Sequence, residues 1–432
     1  MTRNGSEIIV LGGGLAGLSA AYHGGFPVYE ARGRIGGIAD SFNKNGFVFD
    51  AGIHVLQSKN EYFLSLLNEL GVELVTHRRS GWIYSHGKYS KYPFQVNTSR
   101  LPLATRAGCV MGFIARKNHS NPSNYEEWII QNFGKGFAKT FLIPYAEKFW
   151  RRPPSEMTYE WVGARVPTPS VLEVIKGAFR DQETKLGTHA VFQYPLERGV
   201  GFASIARAIA RNVRKIHHGM RATAIDPEKK EVAFGDGGKT VSYEKLITTL
   251  PLPELVKLLP NVPSEVNEAA ARLACNSIAV VSLGVGRDRI TDRHWAHYPE
   301  RDISFFRISF PSKFCDGLNP AGTSSVQAEV SYDSNNPPDK DALLEKVKAD
   351  LVEVGVLGKK ETMLAEDVLL LPYGYVIYDK HREGAVSTIY EYLRMFDIIP
   401  CGRYGEWEYL WTDQSVLSGR KAAESALATV DA

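Results

Sequence analysis

Three glycines, Gly12, Gly14 and Gly17, stand in the run Gly12-Gly13-Gly14-Leu15-Ala16-Gly17 at the spacing that lets a backbone cradle a pyrophosphate. Gly12 permits the tight turn, Gly14 lets the chain approach the phosphates, and Gly17 lets a helix lie close to the preceding strand. Leu15 and Ala16 open that helix, whose first N–H groups lack intrahelical acceptors and so suit an anion. Glu30 follows at the end of the next apolar run, where a carboxylate accepts hydrogen bonds from the ribose of an adenine dinucleotide. The plainer alternative is a glycine-rich turn with Glu30 as a surface charge. The strand pattern before the glycines and the helix pattern after them favour the dinucleotide.

No paired carboxylates, Ser-His-Asp set or Cys-His set stands out for catalysis. Cys109, Cys275, Cys315 and Cys401 are too scattered for a zinc site, a CxxC motif or a disulfide scaffold, so no metal and free thiols in a reducing compartment are expected. The 432 residues are 44% hydrophobic and 23% charged, the balance of a globular enzyme of two or three packed modules. A net charge of +3 is too small to mark a nucleic-acid or membrane partner, although local arginines suffice for an anionic substrate. The N-terminus lacks the pattern of a secretory signal, and no apolar run reaches the length of a membrane span. A soluble, cytoplasmic protein is expected.

The elements that must position these groups follow from periodicity. Residues 8–11 predict a strand, 15–22 a helix and 27–30 a second strand, which is a βαβ opening. Pro27 is tolerated only as the first residue of that strand. Residues 60–71 predict a helix, and 72–95 predict short strands punctuated by Gly81 and Gly87. From 101 to 185 apolar residues fall mainly at helical spacing. A second nucleotide-domain segment is expected from near Tyr194, with a helix over 202–213 and strands over 222–225, 231–234 and 245–250. Runs at 276–286, 303–310 and 324–332 predict a separate antiparallel sheet. Helices are expected over 341–354 and 415–430, the last capped by Thr412 or Asp413.

The run Glu30-Ala31-Arg32-Gly33-Arg34-Ile35-Gly36-Gly37 extends the fingerprint and resembles the FAD motif of the amine oxidase and protoporphyrinogen oxidase group of flavoproteins. By that resemblance Arg32 and Arg34 lie near the phosphates, and Gly36-Gly37 let the chain pass the flavin. The helix before Glu30 is shorter than in those families and is closed by Gly24-Gly25. Further segments, collinear over nearly the whole chain, resemble the UDP-galactopyranose mutase family, especially its eukaryotic-type members. The run from Gly46 to His54 resembles the histidine loop beside the flavin, and Tyr92-Pro93-Phe94-Gln95 a segment that holds uracil. Pro144-Tyr145, Trp150 and Trp161 to Arg165 resemble the helical domain. Ser304-Phe305-Phe306-Arg307 and Gly374-Tyr375 resemble diphosphate-binding positions, and the run from Gly402 to Tyr409 resembles the closing motif. The implied fold is α/β. It comprises a Rossmann-type FAD-binding domain (1–60, 194–265 and 398–432), a mainly helical insert domain (101–188) and an antiparallel β-sheet substrate domain (61–100 and 266–397).

The resemblance also implies a chemistry: reduced FAD, through its N5, attacks the anomeric carbon of a nucleotide diphosphate sugar, and the ring recloses at another size. NADPH is the reductant in similar eukaryotic-type mutases. His54, Arg165 and Arg307 take the catalytic roles. Arg403, Asp413 and Gln414 join the fingerprint residues around FAD. Tyr92, Phe94 and Gln95 hold the base, His189 and His297 face the sugar, and Tyr375 and Tyr409 reach the diphosphate. Each admits a plainer role: salt bridges for the arginines, a loop cap for His54, core packing for the aromatics. Ala146, His189, His297 and Asp413 depart from the family's residues, which leaves the sugar open. Two other readings stand beside the mutase: an FAD-dependent oxidoreductase of the amine oxidase or protoporphyrinogen oxidase type, and a non-catalytic FAD-binding protein.

Overall fold

The computed structural model describes residues 7–116, 121–166, 168–182, 190–235 and 238–428. Its first sheet starts from the apolar strand Glu7–Leu11, buried from Ile8 onward. Parallel neighbours flank it, Val28–Tyr29 on one side and Lys239–Thr248 on the other. Ile216–His217 and Ile398–Pro400 extend the sheet in parallel. The long strand Lys239–Thr248 also pairs antiparallel, through its first half, with Glu231–Phe234. This is a Rossmann-type α/β sheet. Helix Leu15–Gly24 ends where Gly25 adopts a left-handed conformation, and the following strand is only two residues long, as the compressed spacing before Glu30 requires.

The terminal helix Thr412–Ala428 lies against Leu15–Gly24. Small residues at helical spacing, Gly419, Ala422, Ala423 and Ala426, make that approach possible. A Cβ on Gly419 would sit 2.0 Å from the Ala16 carbonyl oxygen. The N-cap of this helix is Trp411, not Thr412 or Asp413 as expected. The Trp411 carbonyl accepts from the Ser415 N–H at 2.8 Å, and the Gln414 side chain reaches back to accept from the Trp411 N–H at 2.8 Å.

The second sheet runs in the order Met363–Leu371, Ser277–Val285, Ser324–Tyr332, Arg307–Ser309, Trp295–His297, Gly81–Ser85, Lys88–Lys91. It is antiparallel except where Trp295–His297 meets Gly81–Ser85 in parallel. Helix Lys340–Glu353 covers one face through Val347 and Leu351. Tyr194 lies in Val191–Pro195, which pairs with Leu74–Arg78 outside the Rossmann sheet. The third layer is helical. Leu103–Ile114 packs on Tyr125–Phe137, which continues through a π-helical turn, Ala138–Leu142, into Ile143–Trp150. Gly134 kinks the longer helix at φ 75°, and a Cβ there would meet the Gly112 carbonyl oxygen at 2.0 Å, so two backbones touch. The four cysteines are unpaired. Among the described residues no helix is long and apolar enough to cross a membrane.

Candidate active site

The cofactor end is made of backbone. Gly14 is the N-cap of the first helix, no side chain caps it, and its first turn carries no acidic residue. The N–H groups of Leu15, Ala16 and Gly17 are thus presented to an anion. Gly12 has φ +100°, and a Cβ on Gly17 would lie 2.0 Å from the Gly12 carbonyl oxygen. Glu30, buried beyond Tyr29, accepts from the Gly13 N–H at 2.6 Å and from the Arg32 N–H at 2.8 Å. Past Ala31, the chain folds back so that Gly36 donates to the Gly13 carbonyl at 2.8 Å, and Gly36-Gly37 abut the glycine loop. Arg32 donates to the Gly37 carbonyl at 3.1 Å, and Arg34 pairs with Asp40 at 2.8 Å, so both arginines also brace this turn. A glycine-lined loop, an uncapped helix start and a buried carboxylate fit the pyrophosphate and ribose of FAD.

Beyond it a cavity of about 420 Å³ opens toward the second sheet and the helical layer. Strand register builds its floor. His297 lies directly opposite Arg307, and Arg307 directly opposite Glu329, so three polar side chains form one row across three strands. A carboxylate in a central, buried strand needs a partner. Glu329 takes the Arg307 guanidinium on both oxygens, Oε2 from Nε and Oε1 from Nη2 at 3.0 Å. Oε1 also accepts from the Ile53 N–H at 3.3 Å, which ties the row to the histidine loop. Arg307 Nη2 donates to the Tyr375 hydroxyl at 3.2 Å. Burial alone pulls this guanidinium down, and the Glu329 carboxylate more than reverses it, so Arg307 stays charged.

Nine residues expected at the site line this cavity: His54, Tyr92, Gln95, His297, Arg307, Tyr375, Arg403, Tyr409 and Asp413. Arg403 donates to the Leu410 carbonyl at 3.0 and 2.6 Å, with its guanidinium 5.6 Å from the Tyr375 ring and 5.5 Å from that of Tyr409. Neither tyrosine is a sheet residue; both lie in loops. Asp413 accepts from the Ser58 hydroxyl at 2.6 Å. Phe94 does not line the cavity. Its ring is fully buried against Phe137 and Phe141, in the core of the helical layer. Gln414 serves the helix cap, and Ser304 is held by Asp350 through its N–H and hydroxyl. His189 lies outside the described residues, as does the side chain of Arg165, which ends the 3-10 segment Glu160–Arg165.

The imidazoles at the site are kept neutral. Burial pushes His54 down to about 4, against a hydrogen bond to the Gly52 carbonyl and with help from Arg403 and Arg307. That carbonyl only accepts, so the His54 Nδ1 at 3.0 Å carries the proton and Nε2 is an acceptor. Burial, then Arg307 and Arg79, push His297 down to about 3, and its Nδ1 is hydrogen-bonded to the Tyr145 hydroxyl at 2.9 Å. The base of the histidine loop is fixed by Asp50, which accepts from Ser41, Tyr194 and the Phe202 N–H.

Sequence reasoning missed Glu329 and Arg79. Arg79 lines the cavity with its guanidinium 4.2 Å from the centre of the Tyr92 ring. Glu329 had a signal. Gln327, Glu329 and Ser331 alternate with Val326, Ala328 and Val330, which puts a polar face on a strand that is otherwise core. Arg79 had none beyond its charge.

The family model for flavin containing amine oxidoreductases matches residues 15–426. The structure resembles that of a reduced UDP-galactopyranose mutase with a TM-score of 0.91 and 26% identity, covering 100% of this chain and 95% of that one. It shares its fold with a cyclohexylamine oxidase from Brevibacterium oxydans IH-35A (TM-score 0.69, 14% identity, 99% and 100% of the two chains). The same holds for an oxidoreductase from Methanosarcina mazei (TM-score 0.66, 16% identity, 97% and 100%).

Proposed function

The chain belongs to the family of flavin containing amine oxidoreductases and is an FAD-dependent enzyme, and we propose that it is an isomerase that interconverts the pyranose and furanose forms of a nucleotide diphosphate sugar. The observation that carries this reading is the guanidinium of Arg307, locked by Glu329 and Tyr375 inside a cavity that Arg79 and Arg403 also enter. Three arginines lining one cavity suit an anionic substrate such as a nucleotide diphosphate, and an apolar amine has no use for them.

When bound, reduced FAD supplies the nucleophilic N5 for the anomeric carbon, with NADPH the proposed reductant. The chain's own groups do the rest. Arg307, with Tyr375 and Tyr409 beside it, stabilises the leaving diphosphate, and Arg165 is assigned to the same task. Arg403, with its guanidinium near both tyrosine rings, steadies the pair. Tyr92 and Gln95 hold the base, while Arg79 over the Tyr92 ring adds positive charge at that end. His54, whose Nδ1–H donates to the Gly52 carbonyl, keeps an uncharged Nε2 acceptor for the flavin side of the cavity. His297 and Tyr145 meet the sugar hydroxyls as a hydrogen-bonded pair, and with His189 and the small Ala146 they set which sugar fits. Asp413, anchored by Ser58, and Gln414 hold the start of the terminal helix against the cofactor.

The test is to reduce the flavin anaerobically and supply UDP-sugars. Ring-isomerised product without consumption of reductant is expected. Turnover only with oxygen or another acceptor would overturn the reading in favour of an oxidase, and a bound flavin that responds to neither would leave a binding protein.

A further inference from the structure

Away from the cleft, the helical layer exposes an apolar surface that its own fold does not use. On helix Leu103–Ile114, Cys109 and Phe113 face the core, while Leu103, Met111 and Ile114 share the opposite side at helical spacing. On helix Val171–Phe179, Val174, Gly177 and Ala178 are buried, while Val171, Leu172 and Phe179 face out. Leu103, Met111, Ile114, Leu172 and Phe179 are 55–80% exposed. The two helices are neighbours, joined by the hydrogen bond from Arg106 to the Ala178 carbonyl at 2.9 Å, so these side chains belong to one region. Six of the eleven large apolar side chains exposed among the described residues fall on these two helices of 12 and 9 residues. A concentration of this kind marks an interaction surface.

The charges around it select the partner. From Tyr92 to Tyr125 the sequence contains no Asp or Glu, whereas Arg100, Arg106 and Arg116 are present. Lys176 and Arg180 add charge from the second helix, and both are exposed. The nearby carboxylates are engaged: Asp181 pairs with Arg100 at 2.8 Å, and Glu173 accepts from the Ser170 N–H at 2.8 Å. A second copy docking here about a two-fold axis would bring the exposed Lys176 and Arg180 and the half-exposed Arg116 against the same cationic patch of its partner, with no carboxylate on helix Leu103–Ile114 to answer them. An anionic lipid surface meets both features at once, taking the protruding apolar side chains among its acyl chains and the cations among its headgroups. We infer that the face formed by Leu103–Ile114 and Val171–Phe179 is a docking surface for an anionic membrane, which would hold the enzyme at the bilayer without a spanning segment. This inference is independent of the reaction assigned above.

The test is sedimentation of the FAD-loaded full chain with vesicles of phosphatidylcholine alone and of phosphatidylcholine mixed with phosphatidylglycerol. Co-sedimentation with the mixed vesicles, weakened by added salt and by Met111→Glu and Phe179→Glu, is the expected result. Each substitution should weaken vesicle affinity roughly tenfold or more, since it removes apolar burial and adds a repelled charge. Both positions are exposed and outside the cavity lining, so retained flavin and turnover would show that the variants fold. Absence of binding to mixed vesicles, or binding that neither variant changes, overturns the inference. So does a concentration-dependent dimer in sedimentation velocity that the variants abolish without any vesicle binding, which would assign the face to a second copy.

Discussion

The two ends of the cleft are held by different materials. At the cofactor end, Gly12, Gly14, Gly17 and Gly36-Gly37 present backbone, and the buried Glu30 carboxylate ties the glycine loop to the turn that follows. At the substrate end the contacts are carried by side chains: His297, Arg307 and Glu329 stand in one row by strand register, and Tyr375, Tyr409 and Arg403 join them from outside the sheet. Backbone recognition tolerates no added volume. Side-chain recognition tolerates volume but depends on charge balance. The cofactor end can therefore be shared widely among flavoproteins, while the substrate end can change by a few substitutions on a fixed sheet.

The contrast predicts opposite kinds of damage. Gly17→Val should have the largest effect. Its Cβ would lie 2.0 Å from the Gly12 carbonyl oxygen, where only backbone movement could make room. The expected outcome is complete loss of bound FAD, read from the visible absorbance of the purified protein. Retention of flavin would show that the loop is not the cradle. Next is Glu329→Leu, which leaves the Arg307 guanidinium buried without its carboxylate and should destabilise the fold by about 3–5 kcal/mol. The double variant Arg307→Leu/Glu329→Leu should recover most of that loss in a thermal or denaturant melt while remaining without turnover. A double variant as unstable as the single one would mean that Glu329 supports the histidine loop through Ile53 more than it supports Arg307.

The same division explains what could be read in advance. The fingerprint, the βαβ opening and the helical layer are local patterns, in which neighbours in sequence are neighbours in space. The row across the sheet is not local. His297, Arg307 and Glu329 come together only through strand pairing, which one sequence does not spell out. Resemblance brought Arg307 to notice, but its partner Glu329 had only the polar alternation of its strand. Strand Met363–Leu371 went unassigned because it is half-buried along most of its length and lacks a clean two-residue period. Helix Arg382–Arg394 was missed as well, its few buried positions diluted by charged neighbours. Phe94 shows the opposite error: a motif match marked the whole tetrapeptide, while the fold sends that ring into the core between its neighbours Tyr92 and Gln95 at the cavity.

A smaller effect separates the two ends by pH. His54 and His297 are held down to about 4 and about 3 from an ordinary 6.5. In the unfolded chain both take up protons as pH falls through their ordinary value, whereas the folded protein resists until the lower values are reached. Their contribution to stability is thus complete above about pH 6.5 and is lost as pH falls toward 4 and then 3. Urea melts across that range should show His297→Gln and His54→Gln with a flatter acid limb than the parent. Identical acid limbs would mean that both rings are protonated in the fold, contrary to the neutral acceptor assigned to His54.

The smallest prediction tests whether the cofactor end extends to the terminal helix. Gln414 caps that helix by accepting from the Trp411 N–H, and it does not line the cavity. If its role is capping alone, Gln414→Ala should lower stability by about 1 kcal/mol and leave flavin affinity unchanged. Asp413→Ala, by contrast, removes a carboxylate that lines the cavity and accepts from Ser58, so it should weaken flavin binding measurably in addition to costing the helix start its acceptor for the Gln414 N–H. The pair is decisive because the two residues are adjacent in sequence, share one helix turn and both accept from its backbone, yet only Asp413 faces the cleft. Equal losses of FAD in both variants would mean that the helix start as a whole, and not a particular side chain, meets the cofactor, which would make this third contact a backbone device like the first.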